Sequence, residues 1–309
     1  MNGAEPKIEI FKPFGEAFEL MKKILFQPFE LKKWLVIGFA AFLAHLGGGF
    51  NFRYNYNDRS RLPQNLIDAI HQIPPWIIVV GASFLGVLLI MILVVFAWLR
   101  ARGRFIFIDC IAKNRAAIAQ PWHEFRKQAN SYFVFSLLVG CGFLVLIALL
   151  SLPFMLPIVR GVTFLHLHDL YLISTIVLCA VVICLLVFAW ALIAHFMVAI
   201  MYRRRCRVLE ALSVVLSLIA AYPGEIVLYC LFWVVLALAS LIVGCTAICA
   251  TCCIAAIPYV GTVILLPVFV LLRSFSLCFL RQFGADYDVW ATLPQPEPPP
   301  PLPPPPIQA

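Results

Sequence analysis

The residues whose spacing most invites chemistry are four thiols near the end of a long apolar run, Cys245, Cys249, Cys252 and Cys253. Steps of four, three and one place them along one helical face, and soft thiolates at that density are ligands for copper or zinc. Four donors on one straight helix cannot converge tetrahedrally, because thiolate sites draw on separated pairs bent around the ion. Small residues at this spacing also suit close helix packing in lipid. Cys252 and Cys253 stand where an outer turn would permit a disulfide. The thiols are read as packing residues, and no cofactor is expected.

Two histidine groups come next. His166-Leu167-His168-Asp169 has the composition of a weak metal site, but no Glu-x-x-His partner accompanies it and a solvated turn is the simpler reading. His45 and His195 fall near the ends of apolar runs, where a lone imidazole is read as a satisfied interface residue. No apolar run carries Asp, Glu or Lys in its middle, which counts against ion-coupled transport and leaves a passive pore open. There is no nucleophile elbow, P-loop, dinucleotide-binding turn or zinc-protease motif, and Gly47-Gly48-Gly49 precedes no phosphate-binding helix. The chain is therefore expected to be non-enzymatic. Two basic clusters, Arg100, Arg102 and Arg104, then Arg203, Arg204, Arg205 and Arg207, are expected to face anionic lipid headgroups or to act as topology signals. Each such charge is worth about 1 kcal/mol near an anionic surface.

The elements that must position these residues belong in a bilayer. Of 309 residues, 63% are hydrophobic and 12% charged, against roughly 25% charged in soluble domains. So few charges cannot cover that much apolar area in water, so lipid must serve as solvent. The net charge of +8 comes without a nucleic-acid motif or an aromatic-lined basic groove, so nucleic acid is excluded as a partner. The 11 Cys lie mostly inside apolar runs, which is not a secreted disulfide pattern. Nor is a cleaved leader expected, since the first apolar run begins at Trp34, behind five Glu and six Lys.

The pattern predicts an all-α polytopic membrane protein with six transmembrane helices in three pairs, each pair preceded by a short interfacial helix. Residues 1–13 read as a flexible terminus. An amphipathic helix over Phe14 to Phe26 lies flat in the headgroups, ended by Pro28. Spans follow at about 34–50, 76–99, 132–152, 171–201, 226–250 and 259–280, the last kinked near Pro267. Residues 100–127 are placed on the membrane surface, with Phe105 to Ala119 only modestly amphipathic, and Pro153 and Pro157 in a turn. Val208 to Ala221 spans only about 21 Å and is read as interfacial or re-entrant. Pro28, Pro121 and Pro223 mark three similar entrances, consistent with a repeated unit. Residues 291–309 form a proline-rich tail that samples extended PPII and could dock on a PPII-reading domain or act as a solvated spacer.

Orientation follows from 19 Lys and Arg on one side against Arg53, Arg59, Arg61 and Arg160 on the other. The positive-inside rule then puts both termini in the cytoplasm. Oligomeric state and partner, a second membrane protein included, stay open.

Around Cys252-Cys253-Ile254-Ala255-Ala256-Ile257-Pro258-Tyr259-Val260-Gly261-Thr262, Leu266-Pro267, Arg273-Ser274-Phe275-Ser276 and Gln282-Phe283-Gly284-Ala285-Asp286-Tyr287-Asp288, the chain resembles uncharacterised bacterial multi-pass membrane proteins. That group is similar in layout to the membrane domain of glycerophosphoryl diester phosphodiesterases. The resemblance implies an all-helical domain in a bacterial inner membrane. The phosphodiesterase catalytic barrel, with its His-Arg-Gly and Glu-x-Asp patterns, has no counterpart here, so no catalytic residue carries over. An accessory or lipid-associated scaffold is the expected function, with a passive or facilitated transporter as the alternative.

Overall fold

The computed structural model describes residues 9–46, 74–159, 166–251 and 257–291. Every regular element among them is a helix: α1 (Phe11–Leu25), α2 (Leu31–His45), α3 (Pro75–Ala112), α4 (Ala119–Glu124), α5 (Arg126–Val159), α6 (His166–Arg204), α7 (Val208–Ala221), α8 (Pro223–Ala250), α9 (Pro258–Ile264) and α10 (Leu266–Arg281). The proline tail, Gly47-Gly48-Gly49, most of the loop that follows and the pair Cys252-Cys253 lie outside the described residues, as do the side chains of His166, His168 and Asp169.

Four helices are long and apolar enough to cross a membrane, over Trp76–Ala112, Arg126–Leu152, Ser174–Arg204 and Pro223–Ala250. These contain the second, third and fifth expected spans and most of the fourth. Residues Trp76 to Leu99 of α3 alone reach about 36 Å, enough for a hydrocarbon core of about 30 Å. None of those 24 positions is buried. Of the expected first span, α2 covers Trp34 to His45, and positions 47–50 lie outside the described residues. The expected last span is divided into α9 and α10. Pro267 has no N–H to give Val263, and the indole N–H of Trp34 donates to that carbonyl instead at 2.9 Å. α5 also runs through Pro153 and Pro157, which the sequence pattern placed in a turn.

The packed core sits at the basic ends of these helices. It is built from α1, α2, the last third of α3, the start of α5, the last turns of α6, α7, the first turns of α8 and α10. Segment 101–112 of α3 corrects the surface expectation for residues 100–127, because Phe105, Ile106, Phe107, Ile108, Cys110 and Ile111 are at most 2% exposed. Its apolar residues cover every side of the helix, as in a helix enclosed by neighbours. α1 corrects a second expectation. It starts at Phe11 instead of lying loose to residue 13, and its apolar face is taken up by α10, with Ala17, Met21, Ile24 and Leu25 buried. Glu9 N–H donates to Gln282 Oε1 at 2.8 Å and Gln282 Nε2 returns a bond to Glu9 O at 2.9 Å, which pins the terminus. α7 has the expected bounds and buries Val208, Ala211, Val215 and Leu218 at helical spacing.

α2 and α3 cross at backbone contact. A Cβ added to Gly103 would lie 2.5 Å from the Leu43 carbonyl carbon, so only glycine permits this approach. α3 then ends in a Schellman-type turn, with Asn114 at φ 48 and Arg115 N–H donating to Cys110 O at 3.2 Å. That turn folds the Arg115 side chain back over Asp109.

Candidate functional site

Two charged layers occupy the packed end. The first surrounds Asp109, whose side chain is fully buried. It accepts from Lys113 Nζ at 2.7 Å, Arg115 Nη2 at 2.8 Å and Nε at 3.1 Å, and Tyr202 Oη at 2.9 Å. Glu124 meets Lys113 at 3.7 Å and also pairs with Arg205. The Arg205 guanidinium lies 4.0 Å over Phe125, which stacks on Tyr202 at 4.7 Å. Arg205 holds φ 54 just past α6, a left-handed conformation that costs a non-glycine residue about 1–2 kcal/mol and is offset by these contacts. With both carboxylate oxygens of Asp109 taken by donors, this layer is a structural clamp joining α3, α4 and α6.

The second layer is a cavity of about 260 Å³ where α2, α3, α6, α8 and α10 meet. Arg100 and Arg104, one turn apart on α3, line it together with His45, His195, Trp233 and Arg273. The remaining lining is apolar, and no carboxylate is among the residues that line it. Arg273 is only 9% exposed and donates to neutral partners, His195 O at 3.3 Å and His195 Nδ1 at 3.4 Å. Arg104 donates to the Tyr132 hydroxyl, and its guanidinium carbon lies 5.3 Å from that ring. The Nε of Arg100 is buried and donates to nothing among the described residues. The tautomers follow from the contacts. His45 Nδ1 faces Ala41 O at 2.8 Å and must donate, whereas His195 Nδ1 faces an Arg273 donor and must accept. Arg273 is buried and Arg100 and Arg104 are half-buried, and cations withdrawn from water without a counter-charge are costly, so this lining is complementary to an anion.

The sequence-flagged arginines part company in space. Arg100 and Arg104 enter the cavity. Arg102 lies between Trp98 and Trp122, 4.4 and 4.7 Å from the rings, and donates to Asn130 Oδ1 at 3.2 Å. This inward packing corrects the expectation that all three face headgroups. Arg203 donates to Ala285 O at 3.4 Å and Arg204 pairs with Asp286 at 3.2 Å, tying α6 to the turn after α10. Arg207 is exposed. Beside it, burial pushes the Cys206 thiol up from its usual value.

Cys245 and Cys249 are exposed free thiols on α8, about 18 Å or more along the helix from Trp233. Among the described residues no three His, Cys, Asp or Glu side chains converge as metal ligands. The cavity members that sequence reasoning missed are Arg273, assigned no role there, and the His45 and His195 pair, each read as a lone imidazole. Their only sequence signal is that each is a polar group in an apolar helix near its basic end. Asp109 was missed too, although Lys113 at i+4 marks it as a paired acid.

No curated protein and no solved structure matches the chain. A family model described as a family of unknown function does match, over residues 9–287, a stretch that includes the cavity and the clamp. The chain belongs to that family, DUF7544.

Proposed function

We propose that this is a non-enzymatic, lipid-associated membrane protein that holds an anionic group in the basic cavity. The observation that carries the reading is the lining itself, three guanidiniums around about 260 Å³ with no carboxylate. Among the described residues no hydroxyl, thiol or carboxylate lines the cavity, so neither imidazole has a nucleophile beside it there to activate. In this reading the four long helices cross the bilayer, and α2, whose His45 lines the cavity beside Arg100, belongs to the packed basic end with α10. The basic end with both termini faces the cytoplasm of a bacterial inner membrane, in keeping with the Lys and Arg asymmetry.

Arg100 is the cleanest probe, because its Nε breaks no bond when removed. Thermal unfolding of the delipidated full chain, titrated with inorganic phosphate, should show saturable stabilisation in the wild type and at least a roughly tenfold weaker midpoint in Arg100→Gln, the loss of one charge-assisted contact. Equal response in both proteins would sink the reading. The transporter alternative draws on the same cavity lying between helices. It gains ground if single cysteines at positions 141 and 245 label from water in membranes.

A further inference from the structure

We infer that the anion is the phosphate headgroup of a membrane lipid, which enters from the bilayer between α6 and α8. This rests on the anion reading above and names the ligand class. The cavity adjoins, and shares His195 and Trp233 with, an apolar groove lined by Phe188, Ala191, Leu192 and Tyr229. On α6 these groove positions recur at i, i+3, i+4 and i+7 (Phe188, Ala191, Leu192, His195), a single face leading from the cavity toward the apolar end of the helix.

Ring edges separate the two helices. Phe188 to Trp233 is 6.3 Å, His195 to Trp233 is 6.1 Å and Phe196 to Tyr229 is 5.0 Å between centroids. The groove between them is narrow, about 20 Å³, and the exposed Ala191 is the small side chain that opens it to the outside. The depth also fits. Arg100 follows directly on the 24-residue apolar stretch of α3, so the cavity lies where hydrocarbon gives way to headgroups. A free anion would use the arginines and leave the groove unused. A lipid with a phosphate headgroup uses both, its phosphate among Arg100, Arg104 and Arg273 and its first methylenes along Phe188, Ala191 and Trp233.

The test uses the full chain in detergent with three probes of known composition: dioctanoyl phosphatidic acid, dioctanoyl phosphatidylcholine and inorganic phosphate. The phosphatidic acid should bind at least about tenfold more tightly than inorganic phosphate, the gain from burying about two methylenes. It should also bind more tightly than the zwitterionic lipid of equal chain length. Ala191→Trp fills the groove from a lipid-facing position, and should weaken phosphatidic acid by about tenfold or more while leaving inorganic phosphate unchanged. Arg100→Gln should weaken both. If inorganic phosphate matches the lipid, if phosphatidylcholine matches phosphatidic acid, or if Ala191→Trp binds lipid normally, the lipid inference falls while the anion reading survives. If neither phosphatidic acid nor inorganic phosphate binds the wild type, both fall together.

Discussion

The two ends of the long helices obey different rules. At the apolar end of α3, Leu85, Leu89 and Leu93 are 65%, 56% and 57% exposed, and the side chains around them on every face are open too. At the basic end of the same helix, Phe105, Ile108 and Ile111 are fully enclosed. Lipid tails are as apolar as leucine, so the outer stretches gain little from burying one another. Near the headgroups, water returns, and apolar side chains have a reason to leave it. The packed end is also where charged groups can be placed, because the clamp and the cavity supply partners that bare hydrocarbon does not. A single helix thus changes from a lipid-solvated rod to a core element within a few residues of Leu99.

Three substitutions test that contrast, in descending order of effect. Asp109→Asn keeps the shape and removes the charge that Lys113, Arg115 and Tyr202 share. Breaking such a buried cluster typically costs about 3–5 kcal/mol. The full chain in nanodiscs should unfold at a clearly lower temperature, and a shift close to zero would show that the clamp does not hold the packed end together.

Gly103→Ala comes second. Its new Cβ meets the backbone of Leu43 and Ala44 at 2.5–2.6 Å, and forcing α2 and α3 apart costs about 1–3 kcal/mol. The same nanodisc melt reads it, with Gly86→Ala on the open part of α3 as the control because nothing lies within 4 Å of its added Cβ. A comparable loss at both glycines would erase the distinction between the two ends.

The smallest effect belongs to Leu89→Ala, expected within about 0.5 kcal/mol because its side chain exchanges one apolar surrounding for another. A loss of several times that size, growing with protein concentration, would mean that the outer stretch of α3 packs on a second copy of the chain.

Much of this contrast is legible in the sequence, though unevenly. The four long spans follow from run length, and α7 from a 14-residue apolar segment bounded by Arg207 and by Pro223, because length against bilayer thickness is a local property. The placement of residues 101–112 was not legible. Arg100, Arg102 and Arg104 alternate with Ala101 and Gly103, and Asp109 follows the short run Phe105 to Ile108, a charge density that reads as a surface segment; only three-dimensional partners turn those charges inward. Arg102 finds Trp122 across 20 positions, and Asp109 finds Tyr202 across 93. α1 was legible as an amphipathic helix, yet nothing local distinguishes an apolar face destined for headgroups from one destined for Phe275 and Phe232. The cavity was the least legible feature of all, since His195 and Arg273 lie 78 positions apart.

By itself the sequence determined the solvent, the helical class, the long spans and the segregation of basic residues, because each depends on composition or on runs of about 20 neighbours. Tertiary structure alone decided which charges became structural and which were gathered around an anion-sized space. That choice depends on which helix faces meet and on the desolvation each charge then suffers, and neither quantity is a property of any single stretch of chain.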